Sequence, residues 1–372
     1  MKVIQLASGD LWAGAEVQLY HMACSMMGQP DVELCIVLLN HGQLEQELVL
    51  QGLSVIILDE NSLTGLKIAT ELWKITKQFK PDIIHTHRIK ENIVGGFVAK
   101  ITGCKSVRTV HGADEFKNDP FYSKSRILAL MDNLAGKFLQ QCVIAVSDEL
   151  KEKLLAEYSL SSLAVINNGI NIPYIEKKAL ERIVFNHDED RLNVCFIGRF
   201  VEVKRVDLFY ELAKKTISNN DALNIHFYMI GDGPLWDEVQ QRICDDKLES
   251  NIHLTGFVSN TAPYIKQMDL LVFTSDHEGL PMTLLEAMVL GVPVLARKEL
   301  ATIAHVLCGG QCGYVDLGTD ANMGSLQLLE ILKHRKERVN TSICAKQRVI
   351  DKFSIEMNVR SYIQLYSDII NR

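Results

Sequence analysis

Two glutamates bracket the segment with the most chemical content, Glu278-Gly279-Leu280-Pro281-Met282-Thr283-Leu284-Leu285-Glu286. An apolar run, Leu270–Thr274, ends just before it, and Pro281 stands where a first helical turn begins. Glu278 therefore reads as a loop residue and Glu286 as helical, about two turns further on. Between Gly279 and Ala296 Glu286 is the only charged residue. A carboxylate in so apolar a helix is costly to bury without a hydrogen-bonding partner. A ligand diol such as a ribose would serve, and periodicity alone equally allows a solvated or salt-bridged glutamate. The amides of Met282, Thr283 and Leu284 would stand free at the helix start, where an anion such as phosphate is favoured.

Cations gather on a second segment. The run Val194–Ile197 leads into Gly198-Arg199-Phe200, with Lys204 and Arg205 following. Arg199 as a fork and Lys204 as a point charge suit a diphosphate, although alone they describe surface cations flanking a turn. A turn Gly231-Asp232-Gly233-Pro234 ends the run Ile225–Ile230 and precedes a helical segment, as a phosphate or ribose loop does. In the first half, Gly9-Asp10-Leu11-Trp12-Ala13-Gly14 follows the first apolar run without the G-x-G-x-x-G spacing of a dinucleotide loop. Gly14 can still offer backbone N–H groups to a phosphate. His85, His87 and His111 sit at the ends of two further runs. His85 reads as a packed core residue and His87 as either core or site. His111, followed by Gly112, reads as a site residue.

These segments need a frame. Short β-branched runs alternate with longer segments of helical period: seven runs between Lys2 and Asn167 and six between Asn193 and Val315. Near-continuous apolar strands separated by helices imply parallel sheets covered on both faces. Two such series imply two doubly wound domains. The turn-rich Asn167–Pro173 and the charged, aperiodic 176–191 mark the boundary, giving domains 1–172 and 173–352. A closing helix over 353–372 carries apolar residues at helical spacing.

Bulk composition narrows the classes. At 372 residues, 47% hydrophobic and 23% charged, the chain is globular and long enough for two cores. A net charge of −7 argues against nucleic acid as the partner. The charge is uneven. Residues 1–60 hold one lysine and eight acids, while 61–153 hold fifteen Lys/Arg against ten acids. The basic stretch is either ordinary surface or a face for an anionic acceptor or membrane. Nine scattered cysteines lack metal spacing and suggest free thiols in a reducing cytoplasm. No apolar stretch approaches the roughly 20 residues of a membrane helix.

Taken in order, Gly198-Arg199-x4-Lys204, Gly231-Asp232-Gly233-Pro234, Glu278-x7-Glu286, His111-Gly112 and Asn168-Gly169-Ile170 resemble family 4 of the retaining glycosyltransferases. The resemblance spans essentially the whole chain. It implies the GT-B fold: two facing Rossmann-like domains with a cleft between them and a C-terminal helix crossing back. The N-terminal domain would bind the acceptor and the C-terminal one the nucleotide sugar. By the same resemblance Glu286 meets the donor ribose, Glu278 the transferred sugar, and Arg199 and Lys204 the diphosphate. Backbone at Thr283 and Leu284 holds phosphate, Gly14 lies near the phosphates, and His111 touches the donor sugar. Val258 packs the base, with Gly231 on the same ribose and base side. The chain departs from the pattern at Ala13-Gly14, where the family often has two glycines. It departs again at Arg297–Ile303, which replaces a Gly-Gly-x-Pro-Glu run.

The implied reaction moves a hexosyl or N-acetylhexosaminyl group from a UDP- or GDP-sugar to a hydroxyl of a glycan or glycolipid, with retention, as in cell-surface polysaccharide assembly. No strand ends in an Asp-x-Asp metal motif, since Asp188-x-Asp190 lies in the boundary stretch. Fixed cations would then neutralise the leaving group, with no metal or cofactor. The acceptor is expected near His87–Asn92 and Asp114–Arg126. The location is cytoplasmic, with peripheral contact to an anionic membrane as one reading. A nucleotide-sugar epimerase on the same fold and a silent nucleotide-sugar binder are the alternatives.

Overall fold

The computed structural model describes residues 1–112, 124–157, 162–183, 190–220 and 222–372. It divides into two compact units. Unit 1 comprises Met1–Gly169 with Ile355–Arg372, and unit 2 comprises Ile170–Ser354.

Unit 1 is built on a sheet of β1 (Lys2–Ala7), β2 (Glu33–Leu38), β3 (Val55–Ile57), β4 (Ile83–Thr86), β5 (Lys105–Val110), β6 (Cys142–Ala145) and β7 (Leu163–Val165). Its order is β3-β2-β1-β4-β5-β6-β7, parallel throughout. Unit 2 carries β8 (Arg191–Ile197), β9 (Asn224–Ile230), β10 (Ile252–Gly256), β11 (Leu270–Phe273), β12 (Val294–Arg297) and β13 (Tyr314–Leu317). Its order is β10-β9-β8-β11-β12-β13, again parallel. Each expected apolar run is a strand. The reason is physical: parallel strands covered on both faces need apolar residues at every position. Ile4, Leu6, Val37, Ile84 and Val98 centre one core, and Val194, Phe196, Phe209, Phe227 and Val272 the other.

In each sheet the order reverses at one place, between β1 and β4 and between β8 and β11. Ligands of open parallel sheets bind outside the carboxyl ends of strands at such a reversal. Close packing around unit 1's reversal relies on Gly95 in the helix Ile89–Thr102. A Cβ there would fall 2.6 Å from the Thr86 methyl and 3.1 Å from Leu6.

Three local features bear on the sequence reading, the first and third as departures from it. The expected linker 176–191 begins inside a helix, Ile172–Lys178, whose first turn is capped by Asn171 Oδ1 accepting from Tyr174 N at 3.1 Å. Asn at a cap with Pro in the first turn is a helix start as well as a turn signal. The closing helix is Ile355–Ile370 and belongs to unit 1, where Asn358 accepts from Gln18 Nε2 at 3.1 Å and donates to Asn167 O at 2.6 Å. The nine cysteines are not all free. Cys312 and Cys344 form a disulfide with a Cα separation of 5.1 Å, leaving seven thiols. The partners are 32 residues apart and meet only through the packing of the helix Arg335–Lys352, so no spacing rule signals them. Among the described residues no helix is long and apolar enough to cross a membrane.

Candidate functional site

In unit 2 the loops at the carboxyl ends of β8, β9, β10 and β11 are stitched together by backbone. Phe200 N donates to Asp232 O at 2.8 Å, Gly231 N to Gly256 O at 3.0 Å, and Asp276 N to Val203 O at 2.8 Å. Gly231 is indispensable to this arrangement: at φ +139° its Cβ would lie 1.9 Å from the Gly198 carbonyl oxygen. The glycines of the Gly-Asp-Gly turn therefore let one loop run against another.

On this frame the short turn Glu202–Lys204 holds Lys204, whose carbonyl accepts from Thr274 Oγ1 at 2.9 Å. The Lys204 ammonium lies 2.7 Å from both oxygens of Glu278, and Ser275 Oγ donates to Glu278 Oε1 at 2.6 Å. Glu278 is almost buried, with 7% of its side chain exposed, against 25% for Lys204. The sequence reading gave these two residues separate roles, and the fold pairs them. Arg199 is exposed, and among the described residues its guanidinium makes no hydrogen bond or ion pair. Of the two cations expected to meet a diphosphate, Arg199 is thus uncompensated and Lys204 already shares its charge.

The helix Met282–Leu290 starts after Pro281 with no side-chain cap. Leu284 does not present the free amide expected of it, because its N–H donates to Pro281 O at 3.2 Å and its side chain is buried. The tight first turn accounts for this. Met282 and Thr283 stand ahead of the first intrahelical bond, where amides are open to an anion. Glu286, further along, is 6% exposed and accepts from Thr261 Oγ1 at 2.6 Å. Burial raises its carboxyl pKa, and the Thr261 bond opposes that rise in part. It is neither solvated nor salt-bridged. Thr261 lies three residues after half-buried Val258 in the sequence.

Arg297, which replaces a glycine run of the family pattern, is 6% exposed. Its guanidinium pairs with Asp276 and reaches Glu299 at 3.2 Å, bracing the loop that carries Glu278. Thr261, Ser275 and Thr274 were not singled out from sequence, and Arg297 was noted only as a departure from the family pattern. Thr261, Thr274 and Arg297 act through contacts between segments distant in sequence, which no local pattern encodes, while Ser275 acts within its own loop, three residues from Glu278.

In unit 1 the reversal point is uncharged at its centre. His87 Nε2 meets Gln5 Oε1 at 2.8 Å, and His87 Nδ1 meets His111 Nε2 at 3.1 Å. His85 lies between Tyr366 OH at 2.6 Å and Thr109 Oγ1 at 2.8 Å. Burial pushes the imidazole pKa of His85 down to about 3 and that of His111 to about 4, and holds His87 well below its ordinary value. All three rings are neutral at physiological pH. His85 is packed, as its sequence context suggested. Gly14 is exposed and is the first residue of the helix Gly14–Met27. Beside it Arg88 bridges Asp10 and Glu16, and Lys90 pairs with Glu60 at 2.7 Å. Of the expected acceptor stretch Asp114–Arg126, residues 114–123 lie outside the described residues.

Comparison with known proteins follows the same division. The family Glycosyltransferase Family 4 matches residues 12–173, and the family Glycosyl transferases group 1 matches residues 177–348. The Escherichia coli UDP-Gal:alpha-D-GlcNAc-diphosphoundecaprenol alpha-1,3-galactosyltransferase is 25% identical over 323 residues, 83% of this chain and 81% of that protein. The Bacillus anthracis N-acetyl-alpha-D-glucosaminyl L-malate synthase is also 25% identical over 323 residues, 82% of this chain and 79% of that protein. Among solved structures, that of Anabaena HepE in complex with UDP-glucose has a TM-score of 0.81 at 19% identity, covering 99% of this chain and 100% of the other.

Proposed function

This chain belongs to glycosyltransferase family 4, and from that premise we propose that it transfers a hexosyl or N-acetylhexosaminyl group from a UDP-sugar to a hydroxyl of a lipid-linked or polysaccharide glycan, with retention. It is a glycosyltransferase with the GT-B fold. The observation that carries the finer reading is the Lys204–Glu278–Ser275 cluster at the reversal of the unit 2 sheet, beside an uncapped helix start.

The chemical demand is the charge of the departing diphosphate. Arg199, Lys204 and the amides of Met282 and Thr283 form a fixed positive field for it, and pre-oriented charge of this kind lowers a barrier without reorganisation. The backbone at Leu284 completes that turn rather than donating. Glu278, held by Lys204 and Ser275, presents a carboxylate edge to hydroxyls of the transferred sugar. Glu286 and Thr261 take the ribose, with Val258 and Gly231 beside the base. His111 receives a hydroxyl of the donor sugar, and Gly14 lies near the phosphates. In this reading the front face of the sugar is attacked as the diphosphate leaves, and neither a metal nor another cofactor takes part, so EDTA leaves turnover unchanged. Uridine is favoured because the Escherichia coli relative is named for UDP-Gal and HepE is solved with UDP-glucose.

A cytoplasmic, peripheral membrane location fits one face of unit 1. Leu130, Leu134 and Phe138 are exposed at helical spacing, Phe97 and Ile101 are exposed on a neighbouring helix, and Lys100 and Lys137 are exposed among them. Apolar side chains flanked by lysines suit an anionic bilayer surface.

The test is a thermal-shift series with UDP, GDP and their sugars, followed by turnover of labelled donors with and without polyprenyl-diphosphate glycans. The expected result is stabilisation by UDP and transfer that requires acceptor. Release of altered free sugar without acceptor would identify an epimerase, and binding with no turnover on any acceptor would identify a silent binder.

A further inference from the structure

The buried histidines of unit 1 form one chain of hydrogen bonds whose direction can be read from its distances. Tyr366 OH to His85 Nδ1 is 2.6 Å. That lies within the span of an O–H donor, and with Gln5 Nε2 donating to the same oxygen the tyrosine's own proton is free for His85 Nδ1, so the tyrosine donates and His85 Nδ1 accepts. His85, neutral, then carries its proton on Nε2 and donates to Thr109 Oγ1 at 2.8 Å. Having spent its proton, Tyr366 OH can only accept from Gln5, whose Nε2 lies 3.3 Å away. This turns the Gln5 carbonyl oxygen toward His87 Nε2 at 2.8 Å, so His87 is the Nε2–H tautomer and its Nδ1 is a bare acceptor. The remaining contact, His87 Nδ1 to His111 Nε2 at 3.1 Å, then needs the proton on His111 Nε2. His111 Nδ1 is left as a lone pair. It is buried and without a hydrogen-bond partner among the described residues. Reversing the Gln5 amide would reverse every step and leave an N–H at that position instead.

We propose that Tyr366, on the C-terminal helix, and Gln5, on β1, are positioning residues that fix His111 as an acceptor at Nδ1 for a hydroxyl of the donor sugar; the sugar contact, but not the tautomer, rests on the function proposed above. Tyr366 and Gln5 are 361 residues apart, and both are fully buried, so neither meets substrate. Their effect passes through His87. Neutral rings make the device workable, since burial lowers the pKa of His85 to about 3 and of His111 to about 4 and leaves the tautomer as the only variable. Tyr362, one turn earlier on the same helix, packs its ring against His85 and Tyr366, but its hydroxyl reaches only the far end of the chain, at Thr109 Oγ1 at 3.2 Å, and Tyr362→Phe keeps the ring.

Nitrogen-15 spectra of the histidine side chains read the tautomers directly, in the full-length protein and without donor. The wild type should show His111 with a bare Nδ1 and a protonated Nε2. Tyr366→Phe and Gln5→Leu should each convert His111 to a mixture, while Tyr362→Phe, equally buried, should leave it as in the wild type. A His111 protonated at Nδ1 in the wild type, a tautomer indifferent to both Tyr366→Phe and Gln5→Leu, or an equal response to Tyr362→Phe would overturn the assignment. A second arm uses donors lacking single sugar hydroxyls. One such donor should lose about tenfold in kcat/KM with the wild type, the scale of one hydrogen bond, and lose nothing further with Tyr366→Phe. If the tautomer result holds and no donor is turned over, the proposed function fails and the positioning assignment stands.

Discussion

The carboxyl ends of β4 and β5 in unit 1 carry neutral rings at their centre, with the ion pairs of Arg88 to Asp10 and Glu16 beside them, whereas those of β8 and β11 in unit 2 carry paired charges at the centre. His85, His87 and His111 are hydrogen-bonded to amide, hydroxyl and each other, and among the described residues none is hydrogen-bonded to a carboxylate. Lys204 faces Glu278 directly, and Arg297 faces Asp276. On the function proposed above, the same parallel-sheet topology supports two kinds of recognition. A neutral network has direction but little field, which suits a hydroxyl. A cluster of partly buried ions beside a helix start has a strong field, which suits a diphosphate.

The contrast is sharpest in turnover. Removing the ammonium by Lys204→Ala takes away a fixed charge and leaves Glu278 with Ser275 alone, so kcat should fall by about 10²–10³-fold, the scale of one lost oxyanion donor. His111→Ala, which removes a neutral acceptor, should cost about tenfold, the scale of one neutral hydrogen bond. Steady-state kinetics on the same donor and acceptor decide between them, and equal losses would break the comparison.

Stability separates the two units next. Gly231→Ala drives a Cβ to within 1.9 Å of a backbone oxygen at a positive φ, and backbone has little room to yield. Gly95→Ala meets a side-chain methyl at 2.6 Å, which rotation can relieve in part. Urea melts should give a loss of about 3 kcal/mol or more for Gly231→Ala and about 1–2 kcal/mol for Gly95→Ala.

Acid should then act on unit 1 first. Burial depresses the pKa values of His21, His85, His87 and His111, with His253 the counterpart in unit 2. Between pH 6.5 and about 4 the unfolded chain binds more protons than the folded one at these sites. Stability is therefore full above pH 6.5 and is lost as the pH falls through that window. Hydrogen exchange resolved along the chain should show β4 and β5 deprotecting before β8 and β11. Simultaneous loss would mean that the histidines do not set the acid response.

The smallest effect is expected at Arg199. Its side chain is exposed and makes no ion pair among the described residues, so Arg199→Ala should leave the melting temperature within about a degree. It should still weaken UDP binding about tenfold by calorimetry, the loss of one charge-assisted bond.

What the sequence determined by itself was the frame and a set of conspicuous charged residues. Thirteen strands were legible because a doubly covered parallel strand must be apolar at every position. Arg199, Lys204, Glu278 and Glu286 were legible because charge at a strand end or alone in an apolar helix is conspicuous. Tertiary structure alone decided which of these groups meet. Lys204 and Glu278 are 74 residues apart, Thr261 and Glu286 are 25, and Gln5 and Tyr366 are 361. None of these pairings has a local period or spacing to announce it, because each forms only when elements distant in sequence are packed together. The disulfide between Cys312 and Cys344 and the brace formed by Arg297 have the same origin. Local sequence dictates backbone conformation through propensity and pattern, while the partner of a buried polar group is dictated by what packing places within 3 Å of it.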